Sequence, residues 1–124
     1  MESEQRLVTS FVVVNELVFL TLRKLSELNY EIKNYYDFRK FISERGYDPF
    51  AEQLNLIFEF IESREVEILP DTHDLGSWRD MMGEYRLLPN DALIAATCKH
   101  YGIKKIATFD DDFKRVDFLE VVEI

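Results

Sequence analysis

The segment Leu87 to Phe113, LLPNDALIAATCKHYGIKKIATFDDDF, constrains the fold more than any other part of the chain. Pro89 with Asn90 and Asp91 reads as a helix start, because Pro is tolerated in a first helical turn and Asn or Asp accepts hydrogen bonds from its free backbone N–H groups. The helix that follows carries Ala92, Ala95 and Ala96, small enough for its backbone to lie close to a sheet, and Gly102 is placed to end it in the left-handed conformation. Lys104 to Thr108 reads as a short strand, and Asp110, Asp111 and Asp112 come just after it. In an open parallel α/β sheet, ligands bind in the crevice beyond the carboxyl ends of the strands. Asp91 and Asp110 fall in that crevice if these elements belong to such a sheet. Singly, Asp91 reads equally well as an N-cap and the Asp110 run as a turn. Together they point to a cation, since converging carboxylates repel one another without one.

A second acid stands out near the start. Leu7 to Thr9 reads as a short strand and Ser10 as the N-cap of a helix reaching about Leu28, SFVVVNELVFLTLRKLSEL. Its first half is apolar almost all round, which predicts a helix covered on most sides. Asn15 and Glu16 interrupt that run and exclude a membrane span, which needs 18 or so uncharged apolar residues. A carboxylate in such surroundings is costly unless it is paired, protonated or bound to a cation. The alternative is that Glu16 lies on a wet flank of the helix.

Between these regions, NYYDFRKFISER at 34–45 predicts an amphipathic helix ended by Gly46, and Asp48 with Pro49 starts a third helix running to about Arg64. Phe50, Leu54, Ile57, Phe58 and Ile61 recur along it at helical spacing. The two read as a helical hairpin inserted between strands. Its aromatic stripe fits a core or a dimer face better than a nucleotide-stacking platform, which basic residues usually accompany. Val66 to Leu69 is a candidate strand closed by Pro70. Asp71 or Thr72 can cap a helix over about 74–86, with Leu75, Trp78, Met82 and Tyr85 on one side, and Phe118 to Val122 can add an edge strand. Strands separated by helices predict a three-layer α/β/α fold with a mainly parallel sheet and right-handed crossovers. At 124 residues the whole chain, 1–124, reads as a single domain.

The net charge of −9 argues against non-specific adhesion to nucleic acid, whose phosphates are bound mainly by Lys and Arg. It favours a basic protein partner, and it leaves room for a nucleic-acid substrate if a divalent ion reverses the local sign. The single cysteine, Cys98, excludes an internal disulfide and offers no zinc spacing. His73 and His100 are not at metal-ligand spacing either and read as structural or solvent-facing. The polar start MESEQRLV has no basic leader before an apolar run, so the cytoplasm is the expected location.

The order and spacing of LLPNDALIAAT and TFDDDF resemble the C-terminal half of PIN domains, the nuclease fold that includes VapC-type toxins of toxin–antitoxin pairs. LVTSFVVVNEL at 7–17 is similar to the same family's second strand and acid-bearing helix. The resemblance implies Glu16, Asp91 and Asp110 around one or two Mg²⁺ or Mn²⁺ ions, with Asp112 as a further ligand candidate and Thr108 and Asn15 in support. Hard divalent cations of this kind take oxygen ligands. It also implies hydrolysis of RNA phosphodiesters and a protein antitoxin as partner, while the aromatic content, ten Phe and six Tyr, favours a homodimer.

The chain departs from the family in one respect. PIN domains begin with a strand carrying another metal-binding Asp in a D-T/S-N/S-V pattern, and nothing before Leu7 resembles it. The expectation is either a truncated chain or one whose start is placed too far downstream, or a variant that closes its sheet differently or borrows a strand from a second copy. Fewer carboxylates bind metal less tightly. A catalytically degenerate PIN-like domain serving as a protein-interaction module is therefore the alternative to an active nuclease. A receiver-like signalling domain would need a phosphoacceptor Asp at the end of a middle strand and a Lys at the end of the last one. The sequence has neither.

Overall fold

A computed structural model describes residues 7–108 and 110–122; the polar opening read as loose, 1–6, and Phe109, the first Phe of TFDDDF, lie outside them. Strand β1 (Val8–Ser10) runs directly into helix α1 (Phe11–Tyr30), followed by α2 (Tyr35–Arg45), a 3-10 turn at Asp48–Phe50 and α3 (Ala51–Ser63). Then come β2 (Glu67–Leu69), α4 (Leu75–Tyr85), α5 (Pro89–Tyr101), β3 (Lys105–Ala107), a second 3-10 turn at Asp111–Arg115 and β4 (Glu120–Val122). The strands form two pairs, β1 with β2 and β3 with β4. The chain packs as two compact units, one of residues 1–9 and 13–68, the other of 10–12 and 69–124.

In the first unit, α1 is held along one stripe. Val14, Leu22 and Ser26 are buried at spacings of eight and four, so they share a face. Leu22 joins Phe38 of α2 and Phe50 of the 3-10 turn in a small core, with Val18, Leu25 and Leu54 packed against it. Phe41 links this core to Tyr30 and Phe50, with ring centroids 4.8 and 5.8 Å away. The hairpin has the ends that its sequence predicts. The side-chain oxygen of Asn34 accepts from the Asp37 N–H at 2.8 Å, and Gly46, at φ +66°, donates to the Ile42 carbonyl.

One expectation fails in this unit. The first half of α1 is not covered on most sides: Phe11, Leu17 and Leu20 are exposed. Its core partners, Phe38 of α2 and Phe50 of the 3-10 turn, cover one stripe of α1. Along the stripe leading through α3, Phe50 and Leu54 belong to the core, Ile57 and Ile61 are half-buried and Phe58 is exposed.

The second unit has the larger core. Ala92, Ala95 and Ala96, on one face of α5, are each at most 1% exposed, and α4 lies against α5, with the Trp78 indole N–H donating to the Pro89 carbonyl at 2.9 Å. Helix α5 ends as predicted. Gly102 sits at φ +68° with its N–H on the Lys99 carbonyl, and Ile103 donates to the Cys98 carbonyl at 2.9 Å, the double closure of a Schellman end. β3 and β4 run parallel in the register Lys105↔Glu120, Ile106↔Val121 and Ala107↔Val122.

The N-cap of α4 differs from expectation. Asp74 fills it, accepting from the Ser77 N–H at 3.0 Å. Thr72 instead accepts from the Asp74 N–H through its hydroxyl, a local turn that moves the helix start two residues on. Asp71 accepts a 3.4 Å bond from the Val12 N–H, one of the free donors of the first turn of α1.

Cys98 is buried in this core, and burial pushes its thiol up to about 11, which keeps it protonated and inert. Tyr85 is also buried, and its hydroxyl donates to Asp117 at 2.7 Å. That bond, helped by burial and by the charge of Asp117, pushes the phenol up from 10.0 to about 12. The folded state therefore binds this proton more tightly than the unfolded chain. The associated stability is fully present below about pH 10 and is lost as the pH rises through about 12. Tyr85→Phe is expected to cost about 1 kcal/mol at neutral pH and to flatten the alkaline fall, which denaturant melts at pH 8, 10 and 11.5 measure.

Candidate metal centre

The site is assembled from two short stretches of the second unit. Asp91 comes from the first turn of α5, where Leu88 rather than Asn90 or Asp91 is the N-cap and Pro89 fills the first helical position. Pro has no N–H to satisfy there, so the helix starts without a side-chain cap at Leu88. Asp110 and Asp112 come from the loop after β3. The Thr108 hydroxyl accepts from the Asp110 N–H at 3.0 Å, and an Asp110 carboxylate oxygen accepts from the Asp112 N–H at 2.8 Å. These two interlocking side-chain turns fold the loop so that both carboxylates leave it on the same side as Asp91.

One carboxylate oxygen from each of Asp91, Asp110 and Asp112 lies within 4.8 Å of the other two, and all three residues are half-buried. In octahedral coordination with bonds of about 2.1 Å, opposite ligands stand about 4.2 Å apart. Neighbouring ligands of one such ion stand about 3 Å apart, so the three oxygens are near enough to be gathered onto one ion by side-chain rotation. The donor set, oxygen alone with neither imidazole nor thiolate, suits a hard divalent cation. His73 and His100 are exposed and outside this group.

The remaining candidates fall elsewhere. Glu16 belongs to the first unit and is half-buried, with its Oε2 atom buried and without a hydrogen-bond partner. Such an atom is costly to leave unsatisfied. Asn15 beside it is exposed. One participant had no reading in the sequence: Arg115, whose guanidinium reaches Asp112 at 3.0 Å. The only local signal is the i,i+3 spacing of Asp112 and Arg115, which on its own fits any solvated turn.

Comparison with known proteins bears on this arrangement. A sequence model of the PIN domain matches residues 1–119. The chain is 38% identical over 114 residues to Ribonuclease VapC2 of Methanocaldococcus jannaschii, covering 91% of this chain and 69% of that protein. It is 37% identical over 93 residues to Ribonuclease VapC6 of the same organism, covering 74% of this chain and 60% of that protein. No solved structure matches the chain significantly. Among the described residues, no helix is long and apolar enough to cross a membrane.

Proposed function

Because the chain belongs to the PIN domain family, we propose that it is a divalent-metal-dependent endoribonuclease. The observation that carries this reading is the grouping of Asp91, Asp110 and Asp112 with oxygens within 4.8 Å of one another. These three hold the ion, and Glu16 is the fourth acid. Its Oε2, buried and without a hydrogen-bond partner, is the observation that supports including it. Bound to these carboxylates, Mg²⁺ or Mn²⁺ lowers the pKa of a coordinated water and offsets the charge that develops on the phosphate.

The protein's own part is positional. Asp91 is fixed by a helix start, Asp110 and Asp112 by the turns that Thr108 closes. No side chain has to act as a covalent nucleophile. The relatives named Ribonuclease VapC2 and Ribonuclease VapC6 support RNA as the substrate, and the resemblance to VapC-type toxins supports a toxin role with an antitoxin as protein partner. Location in the cytoplasm and pairing as a homodimer belong to the same proposal.

Incubation with labelled RNA tests it. Cleavage is expected in Mn²⁺ and not in excess EDTA, with no 2′,3′-cyclic phosphate at the new ends. Attack by water leaves no cyclic phosphate, whereas attack by the RNA's own 2′-hydroxyl does. Tight Mn²⁺ binding without turnover would support the interaction-module reading instead, and cleavage that persists in EDTA would remove the metal from the mechanism.

A further inference from the structure

We infer that Arg115 is the positioning residue of the metal centre, setting the carboxylate of Asp112 through a fork anchored on the end of α4; this rests on the metal-site reading above. Arg115 closes the 3-10 turn, and its guanidinium makes three contacts in different directions. Nε donates to the Tyr85 carbonyl at 2.8 Å, Nη2 to the Arg86 carbonyl at 2.9 Å and Nη1 to Asp112 Oδ1 at 3.0 Å.

The two carbonyls are at the C-terminus of α4, where the last C=O groups lack intrahelical partners and the helix dipole is negative. The last turn of α4 contains no basic residue of its own. Arg86 adopts φ +57°, a left-handed conformation that turns the chain away immediately after the helix. A cation from about thirty residues further along thus caps α4 and at the same time fixes the acidic loop to it.

The pairing with Asp112 contributes little as an ion pair, because both side chains are close to half exposed, at 44% and 46%. Its effect is geometric. A planar guanidinium held at two edges by main-chain carbonyls presents its third edge in one orientation, and that edge holds one Asp112 oxygen. The second oxygen remains for a ligand. The order extends further, because the Asp112 N–H holds Asp110 and the Asp110 N–H is held by Thr108. Two of the three grouped carboxylates are thereby set from one anchor.

Position and charge predict opposite effects on metal binding, which makes the role measurable. If Arg115 mattered only as a charge beside the site, Arg115→Ala would remove a repulsion and tighten Mn²⁺ binding, and Arg115→Lys would change nothing. If it positions Asp112, both variants weaken binding, because an ammonium cannot make the three directed contacts. Loss of an outer partner of a metal ligand typically lowers affinity ten- to a hundredfold.

The experiment is calorimetric titration of the full chain with MnCl₂, at a temperature where circular dichroism shows each variant folded. Arg115→Lys and Arg115→Ala are expected to raise the Mn²⁺ dissociation constant at least tenfold. In an Asp112→Asn background, Arg115→Lys is expected to change it less than twofold. Unchanged affinity in Arg115→Lys, or tighter binding in Arg115→Ala, overturns the positioning role while leaving the metal site standing. A further tenfold loss in the Asp112→Asn background overturns action through Asp112. Failure of the unaltered chain to bind Mn²⁺ overturns this inference together with the metal site. Should Arg115→Ala fail to fold, Arg115→Lys with its retained charge decides the outcome.

Discussion

Replacing Asp91 by Asn is expected to lower Mn²⁺-dependent RNA cleavage at least about a hundredfold while the protein stays folded. The lower bound follows from metal chemistry, since losing an outer partner of a ligand already costs ten- to a hundredfold and Asp91 is proposed to bind the ion directly. The size of the structural effect follows from position. Asp91 is half-buried in the first turn of α5, where a negative charge interacts favourably with the helix dipole by about 0.3–1 kcal/mol. Asn keeps the shape and forfeits that term. Against it stands the repulsion among three grouped carboxylates, which the substitution relieves when no cation is present. In EDTA, therefore, thermal unfolding of Asp91→Asn should lie within about 1 kcal/mol of the unaltered chain, and in Mn²⁺ it should fall clearly below it. Single-turnover cleavage rates and melts in both conditions measure the two effects separately. Full activity in Asp91→Asn would mean that the grouped aspartates are not the reacting centre.

How far the chain could be read in advance depended on how local each determinant is. Helix α5, its alanine face and its Gly102 end were legible because Pro, Ala and Gly act on the backbone within a turn of themselves. The closeness of Asp91 and Asp110 was legible for a related reason, since a helix entrance and a strand end are places where a sheet's topology brings acids together. Asn34 and Gly46, at the two ends of α2, are further cases.

The determinants that acted at a distance were not legible. Three residues, Asp71, Thr72 and Asp74, competed for the cap of α4, and the choice was made by Thr72 bonding to Asp74 and by Asp71 reaching Val12, 59 positions earlier. Arg115 is invisible as more than a surface charge until the end of α4 is placed beside it. The outward-facing residues of α1 were misjudged for a comparable reason. Hydrophobic periodicity shows which side of a helix prefers cover, and in α1 the core formed with Phe38 and Phe50 covers one stripe only.

Glu16→Gln is expected to be at least as stable as the unaltered chain in EDTA and to lose most of the stabilisation that Mn²⁺ confers. The two signs have one origin. An ionised carboxylate with a buried oxygen and no hydrogen-bond partner raises the free energy of the folded state, and Gln removes the charge at nearly constant volume. With metal present the balance reverses. At a free Mn²⁺ concentration of 100 times the dissociation constant, binding stabilises the folded chain by about 2.7 kcal/mol. A variant that binds a hundredfold more weakly gains only about 0.4 kcal/mol at that same concentration. Paired melts, with EDTA and with Mn²⁺, read both quantities without any RNA. Glu16→Gln that melts lower in EDTA would show that the carboxylate has a structural partner. If it kept the full Mn²⁺ gain, the ion would be held without Glu16, and Asp91, Asp110 and Asp112 would account for the binding by themselves.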